Sequence, residues 1–165
     1  GFFGLGAILG FLTLIMFIFR KNRPHVDDII KHVTAINEIA LIIGLAAITV
    51  GNFLGGVWAN ESWGRYWGWD PKETWAYVSI VVYAIVIHLR FIKSLATPFV
   101  FATASLLAFS SILMTYLGVN FYLSGMHSYA TGDPVPVPTW AYVTVCIVII
   151  TILLAIKNKN LKESI

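Results

Sequence analysis

Residues 63–75 read Trp63-Gly64-Arg65-Tyr66-Trp67-Gly68-Trp69-Asp70-Pro71-Lys72-Glu73-Thr74-Trp75. Long apolar runs flank this stretch on both sides, and its second half carries a helix start. Asp70 suits the N-cap, Pro71 the first helical position and Glu73 the third, an Asp version of the capping box. The chain therefore leaves one apolar segment, crosses an aromatic loop and enters the next near Pro71. Four of the six tryptophans fall in this stretch. Such a cluster makes a flat, amphipathic surface suited to a large planar ligand at a membrane face. Its plain alternative is an interfacial aromatic belt.

Working outward, five apolar segments are long enough to span a bilayer, which takes about 20 helical residues. They are Phe2–Phe19, Val33–Val57, Thr74–Ile92, Pro98–Val119 and Thr139–Ile156. With 58% hydrophobic and 12% charged residues, the composition excludes an ordinary soluble domain. The predicted fold is all-α: a polytopic transmembrane helical bundle of about five spans, one domain over 1–165. An external Trp-rich loop (58–75) and a second external loop (120–138) emerge from it. Residue 1 is Gly, with no initiator Met and no signal peptide, so the chain reads as the C-terminal part of a longer protein.

The charges orient the bundle. Arg20, Lys21, Arg23, Lys31, Arg90, Lys93, Lys157, Lys159 and Lys162 fall on one side, and only Arg65 and Lys72 on the other. The positive-inside rule makes the first set cytoplasmic. Both external loops then lie together on the outer face of the membrane, in contact with membrane lipid, with the C-terminus inside. The basic residues form no face or module for nucleic acid. Cys146 is alone, so there is no disulfide or thiolate metal site, and no Cys-x-x-Cys-His occurs. Nucleophile–base triads and phosphate-binding glycine motifs are absent. Of possible buried charges only Glu38 qualifies.

The histidines separate by side. His25 and His32 lie inside, in a loop with Asp27 and Asp28, and read as solvated. His88 falls about 20 Å along the third helix from Trp75. It is either a functional intramembrane group or a helix-end side chain reaching the inner interface. His127 shares the outer side with the tryptophans, and neutral imidazole is a common axial ligand of haem iron. By position alone Asp70 and Glu73 are chiefly helix caps.

Trp58-Ala-Asn-Glu-Ser-Trp63-Gly-Arg-Tyr-Trp67-Gly-Trp69-Asp70-Pro71-Lys72-Glu73-Thr74-Trp75 closely resembles the WWD motif of the haem-handling proteins of cytochrome c maturation. Its Trp-Asp-Pro-Lys-Glu-Thr core most resembles the CcsA (ResC) branch of System II. The run Tyr83 to His88-Leu89-Arg90 resembles that family's transmembrane histidine. Gly125-Met126-His127-Ser128-Tyr129 resembles the histidine motif that follows the WWD loop. The resemblance covers about residues 30–140.

It implies a cytochrome c synthase that exports haem b and presents it for attachment to an apocytochrome c bearing Cys-x-x-Cys-His. A CcsB-like protein or fused domain is the implied partner. His127 would be an external axial ligand and His88 the transmembrane ligand. Trp63, Gly64, Tyr66, Trp67, Trp69 and Asp70 would cradle the ring, with Arg65 or Lys72 on a propionate. A CcmC-like carrier, delivering haem to a chaperone without making thioethers, is the alternative. One departure stands out. The family's first external histidine should precede the first span, but the first here is His25, on the inner side. That ligand is either upstream of Gly1 or missing.

Overall fold

The computed structural model describes residues 1–20, 23–123, 125 and 136–159. Among these there are six α-helices and no strand. The helices are α1 (Phe2–Phe19), α2 (Pro24–Trp63), α3 (Pro71–His88), α4 (Pro98–Leu113), α5 (Val119–Tyr122) and α6 (Thr139–Ile156). A 3-10 turn, Leu89–Phe91, follows α3, and a π-helical turn, Met114–Gly118, joins α4 to α5. Five stretches are long and apolar enough to cross a membrane, ending at Phe19, Trp63, Phe91, Tyr122 and Ile156. The chain is a multi-pass membrane protein.

The first and fifth spans match the sequence expectation at both ends. The second does not. α2 has 40 residues, which is about 60 Å of helix against a hydrocarbon core of about 30 Å. It starts nine residues before Val33 because Pro24 stands at the first helical position and Asp27 sits in the first turn, where both are favoured. It runs past Val57 until Gly64, whose φ of 68° and N–H bond to the Asn60 carbonyl (2.8 Å) form a left-handed C-cap. The expected 58–75 loop is therefore mostly helix, and the loop proper is 64–70.

α1 packs most closely on α4 and α2. Small residues permit this approach, as is usual between helices in membranes. A Cβ on Gly10 would lie 2.5 Å from Ser105 Oγ and 2.7 Å from the Ala102 carbonyl oxygen, and one on Gly6 would strike Leu41. Asn37 donates to Ser105 Oγ (3.0 Å) beside this contact. Phe3 stacks on Tyr83 with ring centroids 3.7 Å apart, in a core shared with Leu41, Val86 and Phe101.

At the basic end Arg20 grips Asp27 (Nε–Oδ1 2.5 Å) and donates to the Asn158 carbonyl (3.0 Å), tying α1, α2 and the end of α6 together. Glu38 is nearly buried on α2 and pairs with Arg90 from the 3-10 turn. Apart from Thr151 and Ala155, α6 buries little of itself, and Cys146 faces outward from it.

Candidate functional site at the tryptophan loop

The cap on α3 forms as expected. Asp70 Oδ2 accepts from the Lys72 N–H (3.2 Å), and Glu73 closes the capping box. Glu73 also does more than cap. Its Oε2 accepts from the Gly68 N–H at 2.7 Å as well as the Asp70 N–H at 3.3 Å. Trp69 lies between these two anchored amides at φ 58°, the one non-glycine residue with positive φ among those described. A bulky residue there is strained. The staple therefore holds Trp69 in a conformation that pushes its indole outward, where it is 73% exposed.

The indoles meet edge to face. Trp67 is half-buried and central, 5.7 Å from Trp69 (88°) and 6.5 Å from Tyr77 (83°). Trp58 and Trp63, on the last turns of α2, form a second such pair at 5.0 Å. Trp75 does not join them. It lines a separate apolar groove between α3 and α4, with Val78, Val82, Leu107 and Met114.

Two cavities flank the Tyr66–Trp67 wall. The inner one, about 420 Å³, lies between α2, the loop and α3. Trp63, Tyr66 and Trp67 cover it, Lys72 and Glu73 stand at its rim, and Thr115 reaches it from the π turn. Its α2 wall includes Gly51 and Gly55, where an added Cβ would meet nothing within 4 Å. The wall is thus open and flat. The outer cavity, about 700 Å³, is lined by α2 residues between Asn52 and Val57 together with Tyr66, Trp67, Trp69 and Tyr77, and carries no charge. The half-buried Arg65 folds over the loop, its guanidinium filling the place a Cβ on Gly68 would take.

His127, with Met126, Ser128 and Tyr129, lies outside the described residues. Gly125 is placed, however. A Cβ on it would come 2.7 Å from Asp70 Oδ1 and 2.9 Å from Pro71 Cδ, so the approach to the histidine motif rests on the α3 cap. The sequence places Gly125 at the head of the histidine motif but does not reveal its contact with the α3 cap. Sequence reasoning also missed the α2 glycines and Thr115, which only packing identifies.

His88 is not at the tryptophan end. It closes α3 at the basic end, exposed, beside Phe91. Its Nδ1 lies 2.6 Å from the Ala84 carbonyl oxygen. A carbonyl only accepts, so Nδ1 donates in this contact and Nε2 is the ring nitrogen outside it. His32 is exposed on α2 and makes a similar bond to Asp28 (2.7 Å). Among the described residues no three His, Cys, Asp or Glu gather as a metal site.

The model of the cytochrome C assembly protein family matches residues 1–127. The protein NrfI of Wolinella succinogenes is 53% identical over 165 residues, 99% of this chain and 18% of NrfI. The cytochrome c biogenesis protein CcsA of Chlamydomonas reinhardtii is 39% identical over 128 residues, 76% of this chain and 35% of that protein. CcsA of Prochlorococcus marinus is 44% identical over 110 residues, 66% of this chain and 33% of its own length. The chain thus spans about a fifth to a third of these relatives, and the matched region takes in α1 to α5 and the whole tryptophan loop. On this ground the chain belongs to the cytochrome c assembly protein family.

Proposed function

We propose that the tryptophan loop presents haem b, as substrate, at the outer face of the bacterial cytoplasmic membrane for covalent attachment to an apocytochrome c. The observation that carries this reading is the glycine-walled cavity under Trp63, Tyr66 and Trp67, with Lys72 and Glu73 in its lining. A flat, apolar ring with anionic edge groups needs such a slot: open wall, aromatic cover and a cation within reach. Trp63 and Trp67 shield the ring from water, Trp69 faces the neighbouring cavity, Gly64 and Gly68 shape the loop, and Asp70 and Glu73 hold it to α3. Arg65 suits a propionate through its two-pronged geometry, and Lys72 supplies a point charge.

His127 is the external axial ligand in this reading. His88 is the inner ligand through which haem passes on its way outward. A CcsB-like partner and a second external histidine complete the assembly. Each cysteine thiol of Cys-x-x-Cys-His adds across a haem vinyl group. A sulfur–carbon bond forms and the proton ends on the neighbouring carbon. The step has no net redox change, so the protein's share is orientation and exclusion of water.

The test is maturation of a co-expressed apocytochrome c by the intact protein with no other maturation factor. Covalent haem on the cytochrome supports a synthase. Haem bound to the protein without thioethers on the cytochrome favours the CcmC-like carrier instead. His127→Ala should change the axial-ligand absorption bands and abolish maturation. An unchanged spectrum with normal maturation removes His127 from the ligand set.

A further inference from the structure

The π-helical turn Met114–Gly118 breaks the regular run of α4 just below the loop, and nothing in the haem reading uses it. Single π turns inside α-helices concentrate at functional sites. Thr115 stands in this one. Its Oγ1 lies 2.8 Å from the Ser111 carbonyl oxygen, 3.0 Å from the Trp75 carbonyl oxygen and 3.1 Å from Ser79 Oγ. Thr13, Thr34, Thr49, Thr103, Thr144 and Thr151 each bond back to the carbonyl four residues earlier. That is the ordinary habit of threonine in a helix. Thr115 does the same and adds two partners on α3.

A hydroxyl has one proton, and carbonyls only accept. Thr115 therefore divides its proton between the carbonyls of Ser111 and Trp75, while Ser79 donates to it. Ser79 is completely buried, so water does not stand in as its partner. Trp75 belongs to the opening turns of α3, directly after the Asp70 cap. Thr115 also lines the cavity under the tryptophans. Gly118 at the end of the π turn and Val119 and Asn120 after it are buried, and the chain continues to Gly125 against Asp70 and Pro71. The α4–α5 arm thus touches the start of α3 twice, at Thr115 below the cap and at Gly125 upon it.

We propose that Thr115 is a positioning residue whose hydroxyl ties the π turn of α4 to the opening turns of α3. It sets the tryptophan loop and the arm leading to His127 at a fixed mutual height. The consequence for haem rests on the proposed function, but the coupling itself does not.

The test uses the intact protein as wild type, Thr115→Val and Thr115→Ser, with hydrogen exchange at the Gly68 and Asp70 amides and the absorption spectrum of bound haem. Valine keeps the shape and removes the hydroxyl. It should speed exchange at those amides by about three-fold, the effect of one interhelical hydrogen bond in a membrane, and shift the haem bands. Serine should restore both. Wild-type exchange and spectrum in the Thr115→Val protein overturn the inference. Equal impairment by valine and serine also overturns it, because a side chain that keeps the hydroxyl then fails to restore the coupling. Should Thr115→Val not accumulate, Ser79→Ala removes the donor to Thr115. It should speed loop exchange in the same sense, and unchanged exchange overturns the inference. Faster exchange in a protein that never binds haem upholds the coupling and defeats the haem reading instead.

Discussion

Glu73 carries two tasks on one oxygen: it completes the cap of α3 and pins the Gly68 and Asp70 amides on either side of a strained Trp69. The capping pattern Asp70-Pro71-Lys72-Glu73 was legible because cap chemistry is local. The grip on Gly68 was not, because it depends on how the loop folds back. Glu73→Ala should cost about 1 kcal/mol, in the range of other lost caps, and should let Trp69 relax to negative φ. Hydrogen exchange at Gly68 and Asp70 measures this, and Glu73→Gln, which keeps an acceptor, should lose less. Gly125 offers a second test at this scale. Gly125→Val drives a side chain toward Asp70 Oδ1 and Pro71, an overpacking of about 1–3 kcal/mol. Cytochrome maturation should fall while the protein still accumulates, as seen by comparing covalent haem with protein level in membranes.

Spans were legible where hydropathy alone defines them, as for α1 and α6. α2 exceeded its apolar run because polar residues with helix-start and helix-stop chemistry extend it past both membrane faces. That extension moves Trp58 and Trp63 from loop to helix and separates them from Trp67 and Trp69. The π turn left no mark in the sequence, since its register depends on contacts with α3. Packing of α1 is also open to test. Gly10→Leu places four carbons where Ser105 and the Ala102 carbonyl already sit. It should destabilise the bundle by about 1–3 kcal/mol or push α1 from α4, read as a lower melting temperature of the detergent-solubilised protein. Glu38→Ala strands Arg90, whose side chain is 42% exposed. Solvent reaches that partner, so the expected loss is only about 1 kcal/mol, in the same melting assay.

Among the described residues, most basic side chains gather at one end and the tryptophans at the other, with His88 and the tryptophan loop at opposite ends of α3. The separation fits the proposed function, in which a ligand is taken up at one face and displayed at the other. The family and the five spans were readable from motif and hydropathy. The cavity was not, because its glycine wall, its aromatic cover and Thr115 come from three distant parts of the chain. The central claim is that haem sits under Tyr66 and Trp67. The haem content and absorption spectrum of the intact purified protein test it, wild type beside Gly55→Leu, which adds a side chain to the open α2 wall and replaces no indole or histidine. The wild type should be haem-loaded, and the well-folded variant should have lost most of its haem. A variant retaining the full complement with an unchanged spectrum would contradict the claim.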